Sequence, residues 1–419
     1  MPRYSSAEHQ LVRSCAWEPE KPAERIADGI LMSRGTSNGY LVTTDEGDVA
    51  INVGTPYQGA RYRQRYEQLL GRPLRMRKII FTQDHFDNSG GWGAFADPGV
   101  ETIVQQNYPL LTAERASLGA FFQPRGRAVI QAVMPSPEQI GIAAAAERPK
   151  APTLFEHFHA FDLGGRRFEL YSAPSGETLD SVMVWLPREK VVFTGNWMGA
   201  LYGAMPHFYT LRGDRQRSVP GFMRELERLI GFGAEMLVTG HDAPIVGAER
   251  VRADMTRLLA AVRHVHDETL KGMNAQKPLS QLMAEIRLPP ELQTAPGRGP
   301  VSWYVRAVWE EYAGWFRHES TTELYATPAS AIWSDLAQMA GGADALAARA
   351  EARLAAGAPV EALHYLEIAL GAEPRNRRAL AAEIAAHERL IDLSEGRNFD
   401  ELGWLETKIA RARQRLAET

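Results

Sequence analysis

Short apolar runs with the two-residue or continuous spacing of strands fill the first part of the chain, and helical spacing fills the rest. "GYLVTT" (39–44) and "GDVAINVG" (47–54) read as adjacent strands joined by a turn at Asp45–Gly47. "ARYRQRYEQLL" (60–70) reads as a helix and "RKIIFT" (77–82) as a buried strand. "RRFELYSA" (166–173), "SVMVWLP" (181–187), "KVVFTG" (190–195) and "AEMLVTG" (234–240) continue the strand set. Strands with helices between some of them predict an α/β layered domain over residues 1–250.

From about residue 248 the period becomes helical. "AERVRADMTRLLAAVRHVHDETL" is a helix by apolar spacing and by its Ala, Leu and Arg content. "VSWYVRAVWEEYAGWFRHE" (301–319) is predicted as another, and from about 329 the Ala/Leu/Glu/Arg-rich chain is predicted helical to its end. "PVEALHYLEIALGAEPRNRRALAAEIAAHERL" resembles one tetratricopeptide-like hairpin with no clear second copy. Residues 251–419 therefore form a predicted all-α domain that packs or dimerises rather than a peptide-binding array.

Composition narrows the classes. The 419 residues are 45% apolar and carry a net charge of −4, which gives no nucleic-acid footprint. One cysteine, Cys15, excludes an internal disulfide or a thiolate cluster. No apolar run approaches the ~18 residues of a membrane span. The beginning, "MPRYSSAEHQLVRSCAWEPE", lacks the apolar core of a signal peptide. A cytoplasmic protein with a small-molecule substrate is the expectation.

The chemistry concentrates at strand ends. "FTQDHFDNSGGW" (81–92) follows the "RKII" strand and has the layout of a metal-binding loop. His85 and Asp87 are its strong donors, whereas Gln83 and Asn88 offer neutral amides that hard cations accept more readily than zinc does. Asp84 is an extra carboxylate with no evident partner. Taken alone, the loop reads equally as a polar turn with Asn88 capping a helix. Three further loops change the balance: "APSGETLD" places Glu177 before a strand, "VVFTGNW" places Asn196 after one, and "LVTGHDAP" places His241 after another. Layered α/β proteins collect their sites at such ends. "EHFHAF" puts His157 and His159 on one side of a strand, with no acidic partner following, and reads as structural.

Together these motifs resemble the metallo-β-lactamase fold, and within it the alkyl sulfatase branch. The fold-wide pattern of His-x-His-x-Asp-His, a Pro–Gly–His/Glu–Thr turn, Thr–Gly–Asp and Gly–His falls on Gln83-x-His85-x-Asp87-Asn88, "PSGET", "FTGN" and "TGH". Glu177 in place of His is a mark of the branch, as is "PHFYTLRG" (206–213). The resemblance covers about residues 30 to 400 and implies an αββα sandwich followed by a helical dimerisation domain. It implies one metal at Gln83, His85 and Glu177, a second at Asp87, Asn88 and His241, and Asn196 at the bridging position. It also implies sulfate binding by Thr210 and Arg212, with His207 where the branch has Asn.

The departures matter. Gln83, Asn88 and Asn196 are amides where the family has imidazoles or a bridging carboxylate, and Asn52 replaces an Asp that orients the loop. Loss of the bridging charge predicts weaker binding, of one ion or two, with Zn2+ first and Mn2+ or Fe2+ as alternatives. The expected chemistry is hydrolysis of an organic anion ester, alkyl sulfates first, with metal-activated water. Asp87 and Asn196 are candidate catalytic residues beside the metal. Arg212 suits the anion or an ordinary ion pair, and His207 suits a ligand, a general acid or a loop residue. "NWMGALYGAMPHFY" (196–209) lines a pocket for an apolar tail or packs in the core. A lactone or thioester hydrolase or lyase, and a metal-free binding or scaffold protein, are the alternatives. A homodimer is expected from the helical region.

Overall fold

The computed structural model describes residues 4–16, 18, 20–144, 146–208 and 210–418, so Tyr209 of the "PHFYTLRG" segment lies outside the described residues. Seven strands form one sheet in chain order: β1 (Glu24–Ala27), β2 (Ile30–Ser33), β3 (Gly39–Thr44), β4 (Gly47–Ile51), β5 (Met76–Ile80), β6 (Glu101–Gln105) and β7 (Thr153–Phe155). The pairs from β1 to β4 are antiparallel and those from β4 to β7 parallel. A second sheet runs in reverse chain order from β13 (Ile245–Val246) through β12 (Met236–Thr239), β11 (Val191–Gly195), β10 (Val182–Leu186) and β9 (Arg166–Ser172) to β8 (Phe158–Leu163). Only its β11–β12 pair is parallel.

Two-residue alternation assigns each side chain to a layer. Tyr40 and Val42 of β3 and Val182, Val184 and Leu186 of β10 fill the space between the sheets. Leu41 points the other way, onto Tyr62 and Tyr66 of the helix Gly59–Leu70. Met183 and Trp185 point outward onto the helices Val219–Gly231, Ala248–Asn274 and Val301–Ala313. The result is the expected αββα sandwich followed by helices. Helices on both sides of residue 250 share that outer core. The helix expected over 301–319 stops at Ala313. Among the described residues no helix is long and apolar enough to cross a membrane.

The two ends of the described chain meet beside the sandwich. Ser6 donates its backbone N–H to Glu406 at 3.0 Å, and His9 Nε2 lies 3.1 Å from the Arg397 carbonyl. The last helix, Phe399–Ala417, lies against the helix Gly119–Ile130. The approach is so close that a Cβ at Gly403 would stand 1.9 Å from the Val129 carbonyl oxygen, so only glycine fits.

Phe193 of β11 is buried between the sheets, edge-on to Tyr40 at 5.2 Å between ring centres. Phe193→Ala is expected to destabilise the sandwich by ~3–5 kcal/mol through lost burial and a cavity. Chemical denaturation followed by tryptophan fluorescence measures it. A loss below ~1 kcal/mol would show that the sheets do not pack through this ring.

Candidate active site

Five loops at one end of the sandwich bring the polar residues together. Asn52, just after β4, adopts a left-handed φ of 56°, a conformation asparagine tolerates. Its Oδ1 accepts the Thr82 backbone N–H at 2.9 Å, which fixes the orientation of the amide. Its Nδ2 must then donate, and it does so to Thr82 Oγ1 and to Asn88 Oδ1, both at 2.9 Å. Asn88 Oδ1 also receives the Ser37 hydroxyl at 3.1 Å. With its oxygen occupied, Asn88 is left with a buried Nδ2 that has no partner. Asn88 sits inside the short helix Phe86–Ser89 and does not cap it; the N-cap position belongs to His85.

The other candidates pair among themselves. Gln83 Nε2 lies 2.6 Å from His85 Nδ1 and 2.9 Å from Glu177 Oε2, while those two are 3.3 Å apart. Gln83 Oε1 and His85 Nε2 are buried without partners. Asn196 Nδ2 donates to Asp87 Oδ2 at 3.1 Å, leaving Asn196 Oδ1 without a partner. A Cβ at Gly240 would overlap Asn196 Oδ1, so the strand-end glycine makes room for this amide. Burial alone would raise the Glu177 carboxyl, but His85, Arg217 and Arg212 outweigh it and hold the group well below the usual carboxylate range. Among the described residues, no three His, Cys, Asp or Glu side chains gather closely enough to hold a metal ion by themselves.

Three placements were not legible beforehand. Asp84 has a partner after all: its buried carboxylate takes a two-bond fork from Arg115, at 2.7 and 3.0 Å. Cys15 enters the site from the N-terminal segment, with Sγ 3.6 Å from His241 Nδ1. Burial disfavours charge on His241, yet Cys15, Asp87 and Glu177 pull its pKa up to about 9. The apolar wall comes largely from residues 108–140, a stretch with helical apolar spacing that received no role in the sequence reading.

A cavity of about 690 Å³ joins these parts. His85, Asp87, Glu177, Asn196, His241 and Arg212 line it. So do Leu111, Leu118, Phe122, Val133, Met134 and Ile140, with the charged Glu114, Arg115 and Arg215. Of the segment 196–209, Asn196 and Ala200 reach the cavity, whereas Trp197, Met198, Met205 and Phe208 are packed into the core. His207 does not line it; its Nε2 faces Asp400 Oδ2 at 3.4 Å, and burial together with Arg298, Arg217 and Arg212 holds it well below the usual imidazole range. His157 is exposed at the surface, away from the cavity. Thr210 is buried, its hydroxyl without a partner.

Residues 32–241 match the model of the metallo-beta-lactamase superfamily, and residues 279–401 match that of the alkyl sulfatase dimerisation domain. The chain belongs to the metallo-β-lactamase superfamily. It is 23% identical over 339 residues to a linear primary-alkylsulfatase of Pseudomonas sp. (strain ATCC 19151), covering 75% of this chain and 63% of that one. It is 25% identical over 299 residues to an alkyl/aryl-sulfatase of Saccharomyces cerevisiae, covering 66% and 46%. The solved structure of a stereoselective inverting sec-alkylsulfatase from Pseudomonas sp. superposes with a TM-score of 0.79 at 21% identity, over 95% of this chain and 66% of that one. The chain thus spans about half to two thirds of the length of these relatives.

Arg115→Ala leaves the Asp84 carboxylate buried without its fork. A loss of ~1–3 kcal/mol in thermal or chemical denaturation is expected, with Arg115→Lys milder. Equal stability of Arg115→Ala and wild type would show that the pair does not hold the loop.

Proposed function

We propose that this protein is an alkylsulfatase-like hydrolase of sulfate esters that carry an apolar chain. The observation that carries the reading is one cavity lined both by the polar residues of the strand ends with Arg212 and by an apolar stretch from Leu111 to Ile140. An ester with a sulfate head and a hydrocarbon tail matches both. Arg212, which lines the cavity, holds the head through its planar fork, with Thr210 buried two residues before it. The wall from Leu111 to Ile140 takes the tail, at ~25 cal/mol per Å² of apolar surface removed from water. Substrates of the relatives support the class; this chain's own substrate is the subject of the test.

The superfamily is one of metal-dependent proteins, and the residues here fit one divalent cation rather than two. His85 Nδ1, Glu177 Oε2 and the Gln83 amide converge within 3.3 Å of one another. No backbone group among the described residues pins the Gln83 amide, so turning it over puts its unpartnered oxygen beside both charged donors. The other half does not fit. The Thr82 N–H fixes Asn52, Asn52 fixes Asn88, and Asn88 turns an N–H₂ rather than an oxygen toward the site. Zn2+, Mn2+ or Fe2+ suits the remaining histidine, carboxylate and amide set. The chemistry such an ion supplies is acidification of a water at neutral pH. Asp87, held by Asn196 and lining the cavity, would accept a hydrogen bond from a water there and orient it toward the ester. The tail wall keeps bulk water from the reacting end.

A second reading rests on a specific observation. The Gln83 N–H₂ group already bridges His85 and Glu177, and the Asn196 N–H₂ group already donates to Asp87. A site satisfied by its own amides binds a ligand without a metal, as a scaffold or carrier would. Two measurements separate the readings: metal per chain by elemental mass spectrometry, and release of sulfate from alkyl sulfates of graded chain length. One equivalent of metal and turnover lost in His85→Ala, by about a hundredfold or more, support the hydrolase. No metal uptake and no turnover support the binding protein.

We further propose that residues 251–419 make a homodimer. Tyr312, Trp315, Leu324, Tyr325, Ile332 and Met339 are large exposed apolar side chains within one stretch of that region. Light scattering is expected to give twice the 46.5 kDa chain mass. A mass of one chain at micromolar concentration would remove the dimer.

A further inference from the structure

The cavity contains more cationic chemistry than Arg212 accounts for. Arg298 lines the cavity and is only 9% exposed. It comes from the loop before the helix Val301–Ala313, far in sequence from every other residue of the site. Asp400, at the start of the last helix and 1% exposed, receives Arg298 Nε on Oδ1 at 3.1 Å. The backbones are tied as well. The Asp400 N–H donates to the Arg298 carbonyl at 3.1 Å, and the Phe399 N–H to that of Gly297 at 3.0 Å. One face of the guanidinium lies over the Phe399 ring, 5.9 Å from its centre. Arg298 is therefore gripped along one edge.

The neighbouring Nη2 on that same edge is not satisfied. Arg298 Nη2 is buried without a hydrogen-bond partner, and so are Thr210 Oγ1, Arg217 Nε and Arg217 Nη2. The acidic groups around these donors are Asp400, committed to Arg298 Nε; Glu177, committed to Gln83 and His85; and Asp214, 3.7 Å from Arg217 Nη2 and so beyond hydrogen-bond reach. Buried guanidinium and hydroxyl donors without acceptors are unfavourable unless a ligand brings the missing oxygens. A tetrahedral oxyanion brings several at once, and arginine forks recognise it.

Resting on the reading of the cavity as a sulfate-ester site, we infer that Arg298 is a head-group residue and that Asp400 is its positioning residue, so that the last helix of the chain completes the anion pocket. The pocket then draws on three separate parts of the sequence: Arg212, with Thr210 and Arg217 buried close by in the chain, Arg298, and Asp400. The ligand class is the sulfate group itself, free or esterified.

The test is calorimetric titration of sodium sulfate into the full chain in a sulfate- and phosphate-free buffer, with circular dichroism melting as the folding control. Wild type is expected to bind, Arg298→Gln to bind about tenfold more weakly or worse, and Asp400→Asn to lose affinity that Asp400→Glu recovers. A helix held only for structure would show no such recovery of sulfate affinity. If Arg298→Gln does not fold, Arg298→Lys keeps the charge but not the fork, and several-fold weaker binding is expected. The inference is overturned if wild type binds no sulfate, or if the folded Arg298 variant binds it as tightly as wild type does. Binding through Arg298 without hydrolysis of any sulfate ester would sink the catalytic reading and leave this one standing. Hydrolysis with undiminished sulfate binding in the variant would do the reverse.

Discussion

The hydrogen bond from the Thr82 backbone N–H to Asn52 Oδ1 sets the terms for the rest of the site. A backbone donor cannot be exchanged for an acceptor, so it decides which way the Asn52 amide faces, and Asn52 then decides the same for Asn88. The bond also ties the end of β4 to the loop after β5, the two parallel neighbours whose ends carry the candidate residues. Because β4 is buried on both faces and β5 is buried at Ile79 and Ile80, next to the tie, it rests on a rigid base. An asparagine at φ 56° belongs here for two reasons: it tolerates the left-handed backbone, and its amide offers one acceptor and one donor side, which the Thr82 N–H and the Asn88 oxygen take up.

With the amides in place, the electrostatics of the cavity differ from those of a site built only of imidazoles and carboxylates. Such a site is a concentration of lone pairs and negative charge that needs cations to be stable. Here the N–H₂ groups of Gln83 and Asn196 face His85, Glu177 and Asp87 and supply part of that positive potential. On the one-metal proposal, a dication would have to displace these contacts to bind. Arg212, Arg217 and Arg298 supply more, and their influence reaches Glu177, His207 and one another. The net effect shifts the cavity from cation-seeking toward anion-seeking.

Much of this architecture was legible in the sequence because periodicity reports burial. "GYLVTT" and "SVMVWLP" alternate between two cores, and the helix expected at residues 60–70 presents Tyr62 and Tyr66 to one of them. Gln83, His85, Asp87, Asn88, Glu177, Asn196 and His241 were legible as a set because each follows or precedes a strand, and strand ends share one edge of the sandwich. What escaped has a common physical origin. Arg115 beside Asp84, Cys15 beside His241 and Asp400 beside Arg298 meet through tertiary packing between segments far apart in the chain. No local pattern encodes such meetings. The apolar wall was missed for another reason: helical spacing from Tyr108 onward looks the same whether the stripe faces a core or a cavity. The length of the helix at Val301 was overestimated because its aromatic content continues past Ala313 into exposed residues such as Trp315.

Ser6 and His9 are fastened to the last helix, and the same short segment sends Leu11 and Cys15 into the cavity. Segments 388 residues apart in sequence therefore border the same chamber. Contacts of such long separation require a large loop to close first, so this wall is among the parts of the molecule whose formation costs the most chain entropy.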